Sequence, residues 1–189
     1  MTPIDRLPEI PRDKMNAAQK QAYDDIASGP RGAVYGPFVP LLRSPELMRR
    51  LQKTGEYLRY QGVLPQKLSE LATLIVAREW TQQFEWHHHH TIALERGLKP
   101  ALVQAIAEGR RPSDMSEDEE IVYELCSELH HNRRVSDETY GRALARFGEQ
   151  SIIELIVLQG YYTLMAMVMN VARTALPEGT IPPLSPFPL

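Results

Sequence analysis

The stretch FEWHHHHTIALERGL, residues 84–98, contains four consecutive histidines in the middle of the chain. If the stretch is helical, the run does not form a single cluster. Residues three and four apart share one face of an α-helix, whereas adjacent residues do not. Glu85 therefore lies one turn before His88 and His89 and is a neighbour of both on the helix surface.

His89 is the histidine that we expect to point inward. It shares a helix face with Ala93 and lies near Gly97, and these small residues allow a second helix to approach closely. His87 and His90 lie to either side of this face and are expected to be exposed or at an interface. The predicted buried pair is therefore Glu85 with His89.

Three interpretations of this pair are open from the residues alone. The first is a structural ion pair on a helix. The second is a metal site, since Glu85 and His88 have the Glu-x-x-His spacing of helical di-iron proteins. That architecture needs a second copy, and Glu128 with His131 has the spacing but lies near a helix end, so we predict no metal. The third is acid–base catalysis by His89, because a buried carboxylate beside a histidine fixes its tautomer and raises its basicity.

Helix signals recur on both sides of this stretch, and strand signals hardly appear. Ser44-Pro45 is a cap followed by a proline at the first helical position. Ser116 and Glu119 form a capping box. We predict an all-α fold of seven to eight helices, which begin near residues 16, 44, 64, 84, 100, 116, 136 and 150.

An irregular loop is predicted at residues 29–42, where three glycines and three prolines precede the final leucines. The loop holds Tyr35, Phe38 and Val39, which are unusually apolar for a loop in solvent. We predict that this segment lines or covers a pocket. A structural role is the alternative.

The composition suits one globular domain, with 189 residues, a net charge of −3 and 43% hydrophobic residues. Because no basic stripe is present, we predict no nucleic-acid partner. Cys126 is the only cysteine of the sequence, which excludes an internal disulfide and a Cys-x-x-Cys motif. The first residues lack the apolar core of a signal peptide, so we expect a cytoplasmic protein.

The richest apolar run lies at residues 151–176 and is interrupted by Glu154, Gln159, Gly160 and Asn170. These interruptions favour a buried or interface helix over a membrane span, so no membrane association is predicted. A helix that is apolar nearly all round must have its surface covered. The run therefore predicts a homo-oligomer.

The pattern Glu85-x-x-x-His89-x-x-x-Ala93-x-x-x-Gly97-Leu98 resembles the core signature of the carboxymuconolactone decarboxylase family, within the AhpD-like superfamily. The preceding LSELATLIVARE is similar to the helix that comes before this signature in the family. Several downstream stretches also resemble longer family members.

The likeness covers roughly residues 35–178 and implies an AhpD-like helical domain. We place that domain at residues 15–178, after a Pro-rich, extended N-terminal arm at residues 1–14. A Pro-rich C-terminal tail follows at residues 179–189.

Peroxidase members of the superfamily use Cys-x-x-Cys, a histidine four residues later and a glutamate one helix earlier. The cysteine positions correspond here to Gln82 and Glu85, and the histidine and early glutamate correspond to His89 and Glu70. By this resemblance, the sequence keeps the residues of the proton relay but lacks both thiols. Cys126 lies far along the chain in an apolar stripe, where a buried, inert thiol is expected. A cysteine-dependent peroxidase is therefore not predicted.

Decarboxylase members lack these cysteines and keep a glutamate–histidine pair. The resemblance implies a carboxy-lyase that acts on a small carboxylated lactone or a related cyclic acid, without a cofactor. The implied roles are proton donation by His89, orientation or proton sharing by Glu85, and a second relay position at Glu70. The predicted substrate-binding residues are Tyr35, Phe38 and His88.

No arginine is obviously placed in the sequence to bind a substrate carboxylate. Arg78, eight residues after Glu70, is the nearest candidate, and a surface ion pair is its alternative role.

Two other functions remain open: a thiol-independent oxidoreductase of the superfamily, or a non-enzymatic oligomer that binds a small ligand. We predict that the protein acts in the catabolism of aromatic compounds. We also predict that it assembles as a dimer, trimer or hexamer.

Overall fold

The computed structural model describes residues 5–186, and this part of the chain is helical without any β-strand. A short 3₁₀ turn at Arg12–Lys14 precedes eight α-helices. The all-α prediction of seven to eight helices is confirmed. The helices are α1 (Ala17–Ala27), α2 (Phe38–Leu41), α3 (Pro45–Tyr60), α4 (Gln66–Glu79), α5 (Gln83–Glu95), α6 (Pro100–Ala107), α7 (Glu117–Asn132) and α8 (Asp137–Ala172).

Helix α4 lies at the centre of the molecule and packs against α5, α6, α7 and α8. Ten of its fourteen residues are buried, so the helix is surrounded on all sides rather than on a single apolar face. Leu71 and Leu74 are completely inaccessible to solvent. Because α4 is central, its side chains contact the surrounding helices from inside the core.

Helix α8 is interrupted at Gly148, whose φ of 77° and ψ of 169° are not helical. Such a conformation is essentially restricted to glycine, and the residue stands where the sequence predicted one helix to end. Ser136 caps the start of α8 by accepting from the Thr139 amide. By length and composition α8 could cross a membrane, yet half of its most apolar window is buried inside the protein.

The predicted irregular loop at residues 29–42 contains a short helix, α2, which the sequence did not indicate. Pro37 stands at the N-cap position of this helix, and a proline ring fixes φ near the helical value. Phe38 and Leu41 are buried. Burial of these two side chains and the proline at the N-cap therefore stabilise one helical turn within a Gly- and Pro-rich segment.

Both terminal segments pack onto the helical body. The Arg6 amide donates to the Ala172 carbonyl at 2.7 Å, and Leu184 is buried. The extended arm predicted at residues 1–14 is corrected at Arg12–Lys14, which form the 3₁₀ turn. The parts of the arm and tail predictions that concern residues 1–4 and 187–189 lie outside the described residues.

Candidate active site

Glu70 of α4 and His89 of α5 form a buried pair. The His89 Nδ1 atom lies 2.7 Å from Glu70 Oε2, and the two residues are only 4% and 7% exposed. A tight turn brings the helices together: Thr81 has a positive φ of 44°, and the Gln82 amide donates to the Ala77 carbonyl. At this separation one proton lies between the two side chains, and the ring keeps Nε2 for a second partner.

The structure assigns the partner of His89 to Glu70 and not to Glu85, which corrects the predicted orienting role of Glu85. Glu85 is 3% exposed, and its Oε2 has no hydrogen-bond partner among residues 5–186. Burial raises the pKa of the Glu85 carboxyl well above its usual value. Because a protonated carboxyl keeps an O–H group, Glu85 is available as a neutral hydrogen-bond donor.

His88 lies beside His89 and is held in its neutral form. The Arg59 Nη2 atom lies 3.3 Å from His88 Nε2, and an arginine can only donate, so the imidazole nitrogen accepts. Burial, followed by the charges of His89 and Arg59, lowers the pKa of His88 to about 3. His88 is therefore a hydrogen-bonding and packing residue at neutral pH, not a proton donor.

A small cavity of about 40 Å³ lies between the loop before α2 and helices α3, α5 and α8. Because one water needs roughly 10–15 Å³ of such space, the cavity suits a compact ligand. All predicted site residues except Glu70 line it, which brings Tyr35, Phe38, Glu85, His88 and His89 together.

Glu70 instead lines a neighbouring cleft of about 100 Å³. Arg59 and Tyr162 line both the cavity and the cleft, so these two spaces meet at the Glu70–His89 pair. The cleft also presents the polar side chains of Ser69 and Thr73. A proton can thus pass between a small cavity and a polar cleft through one buried pair.

The cavity is also lined by four residues that were not predicted from the sequence, namely Arg31, Arg59, Tyr161 and Tyr162. Arg31 comes from the Gly- and Pro-rich loop, where no periodicity indicates the direction of a side chain. Arg59 stands near the end of α3, where a charged residue is usually solvated. Only Tyr161 and Tyr162 carried a usable signal, because they are polar-tipped aromatics within the long apolar run.

Arg78 lines neither the cavity nor the cleft, and it is buried rather than at the surface. It is only 4% exposed, and its Nη1 donates to the carbonyl oxygens of Ala107 and Ser185. Burial lowers the pKa of its guanidinium group. Arg78 therefore ties the C-terminal tail and the end of α6 to helix α4.

Gln82, one of the two positions compared with peroxidase cysteines, has a structural role. Its side-chain oxygen accepts from the Glu85 amide and caps α5, and its amide nitrogen donates to Asn170 of α8. Cys126 is completely buried, and burial raises the pKa of its thiol. The only thiol of the sequence is therefore unreactive, and it is not part of the cavity lining.

The second Glu-x-x-His pair is used to hold helices in place. Glu128 accepts from the Ser136 amide and the Thr139 hydroxyl at the start of α8, and His131 lies 3.3 Å from Glu79. Over residues 5–186, the structure places no three His, Cys, Asp or Glu side chains where they would hold a metal ion.

Comparison with known proteins gives a match to a family model. Residues 45–116 match the model of the carboxymuconolactone decarboxylase family, a span that contains Glu70, Glu85, His88 and His89. The predicted resemblance is confirmed for this span, and the all-helical architecture agrees with the AhpD-like fold that it implied. No match was found among curated proteins. Arg31, which lines the cavity, lies outside the matched span.

Proposed function

We propose that the protein decarboxylates a small carboxylated lactone or a related cyclic acid by acid–base chemistry, because residues 45–116 match the model of the carboxymuconolactone decarboxylase family. One observation carries the proposal: the buried Glu70–His89 hydrogen bond of 2.7 Å at the wall of a small cavity. A histidine oriented by a carboxylate in this way is a suitable proton donor.

The reaction requires one proton and no electron acceptor. The bond between the ring carbon and the carboxyl carbon breaks, carbon dioxide leaves, and the electron pair passes into the conjugated lactone carbonyl as a dienolate. His89 then donates a proton to the ring carbon. The net change is the loss of carbon dioxide and the uptake of one proton, which must be returned to His89 after each turnover.

The surroundings of His89 support this chemistry. The cavity is lined by aromatic side chains, including Tyr35, Phe38 and Tyr162, which exclude water from a bound carboxylate and favour its loss as neutral carbon dioxide. Arg59 places a positive charge at the same wall, where it attracts the acid and stabilises developing negative charge on oxygen.

Glu70 provides the route by which His89 regains its proton. Its carboxyl group contacts His89 on one side and lines the polar cleft on the other. A proton taken up from solvent in the cleft passes to Glu70 and then to Nδ1 of His89. In this scheme Glu70 acts through His89 and does not touch the substrate.

The proposal is tested by incubating the purified protein with a panel of small carboxylated lactones and measuring the release of carbon dioxide. We expect release from at least one compound, and its loss in His89→Gln at unchanged helical content. Binding of these acids without any release of carbon dioxide would contradict the proposal and favour the non-enzymatic alternative.

A further inference from the structure

Three buried polar atoms that lack a hydrogen-bond partner among residues 5–186 belong to side chains of the same cavity. They are Nε of Arg31, Oε2 of Glu85 and the hydroxyl of Tyr161. Glu85 and Tyr161 are 3% and 7% exposed. Buried polar groups are nearly always satisfied, so three such atoms around one cavity point to a ligand group that they bind.

Gly55 of α3 shows how close two of these side chains are. A Cβ atom at this position would lie 2.2 Å from the Tyr161 hydroxyl and 2.8 Å from Nη2 of Arg31. The two polar tips therefore lie close together beside α3, within reach of a single ligand group. Any residue larger than glycine at position 55 would displace them.

All three side chains are able to donate a hydrogen bond. Arginine has no acceptor, burial raises the pKa of Tyr161 to about 12 so that its hydroxyl keeps the proton, and burial raises the pKa of the Glu85 carboxyl, which favours its protonated, donating form. What these donors need is an acceptor with several lone pairs. A carboxylate group has two oxygens and about four such positions.

The nearest acidic side chain does not fill this need. Glu56 is close enough to Arg31 for its pKa to be lowered in part by that charge, but its carboxylate accepts from Gln52 and Lys53. No ion pair within 4.0 Å joins Arg31 to a carboxylate in the described part of the chain. The positive charge of Arg31 stacks instead on the Phe38 ring, 4.8 Å from its centroid.

We infer that Arg31, Tyr161 and Glu85 form a carboxylate-binding subsite that orients a compact acid in the cavity beside His89. The inference rests on the proposed function for the class of ligand, a small cyclic acid, and extends it by assigning specificity to Arg31 and Tyr161, which lie outside the family match. Arg31 and Tyr161 are positioning residues: they hold one end of the ligand, so that the remainder faces His89.

The test compares two probes of nearly equal shape, 2-furoate and the neutral 2-furamide, by calorimetric titration of the full chain. The wild type is expected to bind the anion at least about tenfold more tightly than the amide, because hydrogen bonds to a charged group are the strong ones. Arg31→Gln should weaken 2-furoate about tenfold or more, and Tyr161→Phe about threefold to tenfold. Binding of 2-furamide should change little.

Matched substitutions outside the cavity serve as controls. Arg50→Gln and Tyr140→Phe alter exposed residues and should leave both affinities unchanged, and thermal unfolding checks that each variant is folded. Tyr161→Phe keeps the aromatic ring, so it decides the matter if Arg31→Gln does not fold. No detectable binding of 2-furoate, equal affinity for both probes, or a preference that survives both substitutions would overturn the inference.

Titration of His89→Gln separates this inference from the proposed function. That substitution should abolish the release of carbon dioxide but retain the preference for 2-furoate over 2-furamide. A wild-type protein that shows the preference but releases no carbon dioxide would sink the proposed reaction alone.

Discussion

The imidazole ring of His89 is held by a neighbour on another helix. Its Nδ1 atom is engaged by Glu70 of α4 at 2.7 Å, although Glu85 is the acidic residue one turn away on its own helix. The spacing rule correctly places Glu85 and His89 on the same buried face. It does not reveal which carboxyl group reaches the ring, because that depends on how α4 packs against α5.

At the same scale, the neutrality of His88 makes stability depend on pH. Its pKa is lowered from 6.5 to about 3, so between these values the unfolded chain binds more protons than the folded one. The free energy of unfolding should therefore fall as pH falls from about 6.5 towards 3. We expect His88→Asn to reduce the loss of thermal stability between pH 7 and pH 5.

The direct readout is the proton NMR signal of the His88 ring. It should not titrate between pH 5 and pH 8, and a midpoint near 6.5 would show that the ring is not shielded by burial and by Arg59.

At the scale of elements, the sequence predicted most of the helices because their ends carry local chemistry. The capping box of Ser116 and Glu119 and the break at Gly148 both lie where they were expected. Helix α2 was missed because four residues give no periodicity and its formation depends on burial of Phe38. The last helix was predicted to end near Leu176 but ends at Ala172, where Arg173 adopts a left-handed conformation.

The candidate site was harder to predict than the helices. Glu70, Glu85 and His89 were identified from a pattern, since a family signature and helical spacing both indicate them. Arg31 and Arg59 were not identified, because a charged residue in a loop or at a helix end is usually solvated. The loop that carries Arg31 and the helix that carries Arg59 reach the cavity only through tertiary packing.

The contact between α3 and α8 leads to a prediction about Gly55. A Cβ atom there would clash with the Tyr161 hydroxyl at 2.2 Å, and overpacking of this kind costs about 1–3 kcal/mol. Gly55→Ala should therefore lower the free energy of unfolding in urea by that amount, although alanine is the better helix former.

Gly141→Ala provides the matched control. Gly141 also lies in a helix, but a Cβ atom would meet nothing within 4 Å, so the substitution should stabilise by up to about 1 kcal/mol. Equal effects of the two substitutions would show that Tyr161 does not occupy the space beside α3.

At the scale of the whole molecule, the cavity is assembled from distant parts of the chain. The family match at residues 45–116 contains Glu70, Glu85, His88 and His89, whereas Arg31 and Tyr161 come from either side of it. In the proposed function, the matched segment would supply the proton relay and the flanking segments would supply the groups that select the ligand.

The exposed surface of α8 leads us to retain the prediction of a homo-oligomer. Several apolar side chains on one stretch of this helix are exposed, namely Ile153, Ile156, Val157, Met167 and Val171, and contiguous patches of this kind mark interaction sites. Light scattering should give a mass that is a multiple of 21.5 kDa.

Ile153→Lys should shift that mass towards a single chain, because a charge would be buried in the interface. Ile181→Lys, an equally large change at an exposed residue of the tail, should leave it unaltered. A wild-type mass of 21.5 kDa would refute the prediction.

The central claim is that Glu70, and not Glu85, is the proton partner of His89. It is tested most directly by comparing kcat for carbon dioxide release in Glu70→Gln and Glu85→Gln, with thermal unfolding as the check on folding. An amide at position 70 cannot relay a proton, so kcat should fall about 100-fold or more. At position 85 the amide remains neutral and can still donate, so the loss should be less than about tenfold. A Glu70→Gln protein within tenfold of the wild type, or an equal loss in Glu85→Gln, would contradict the account.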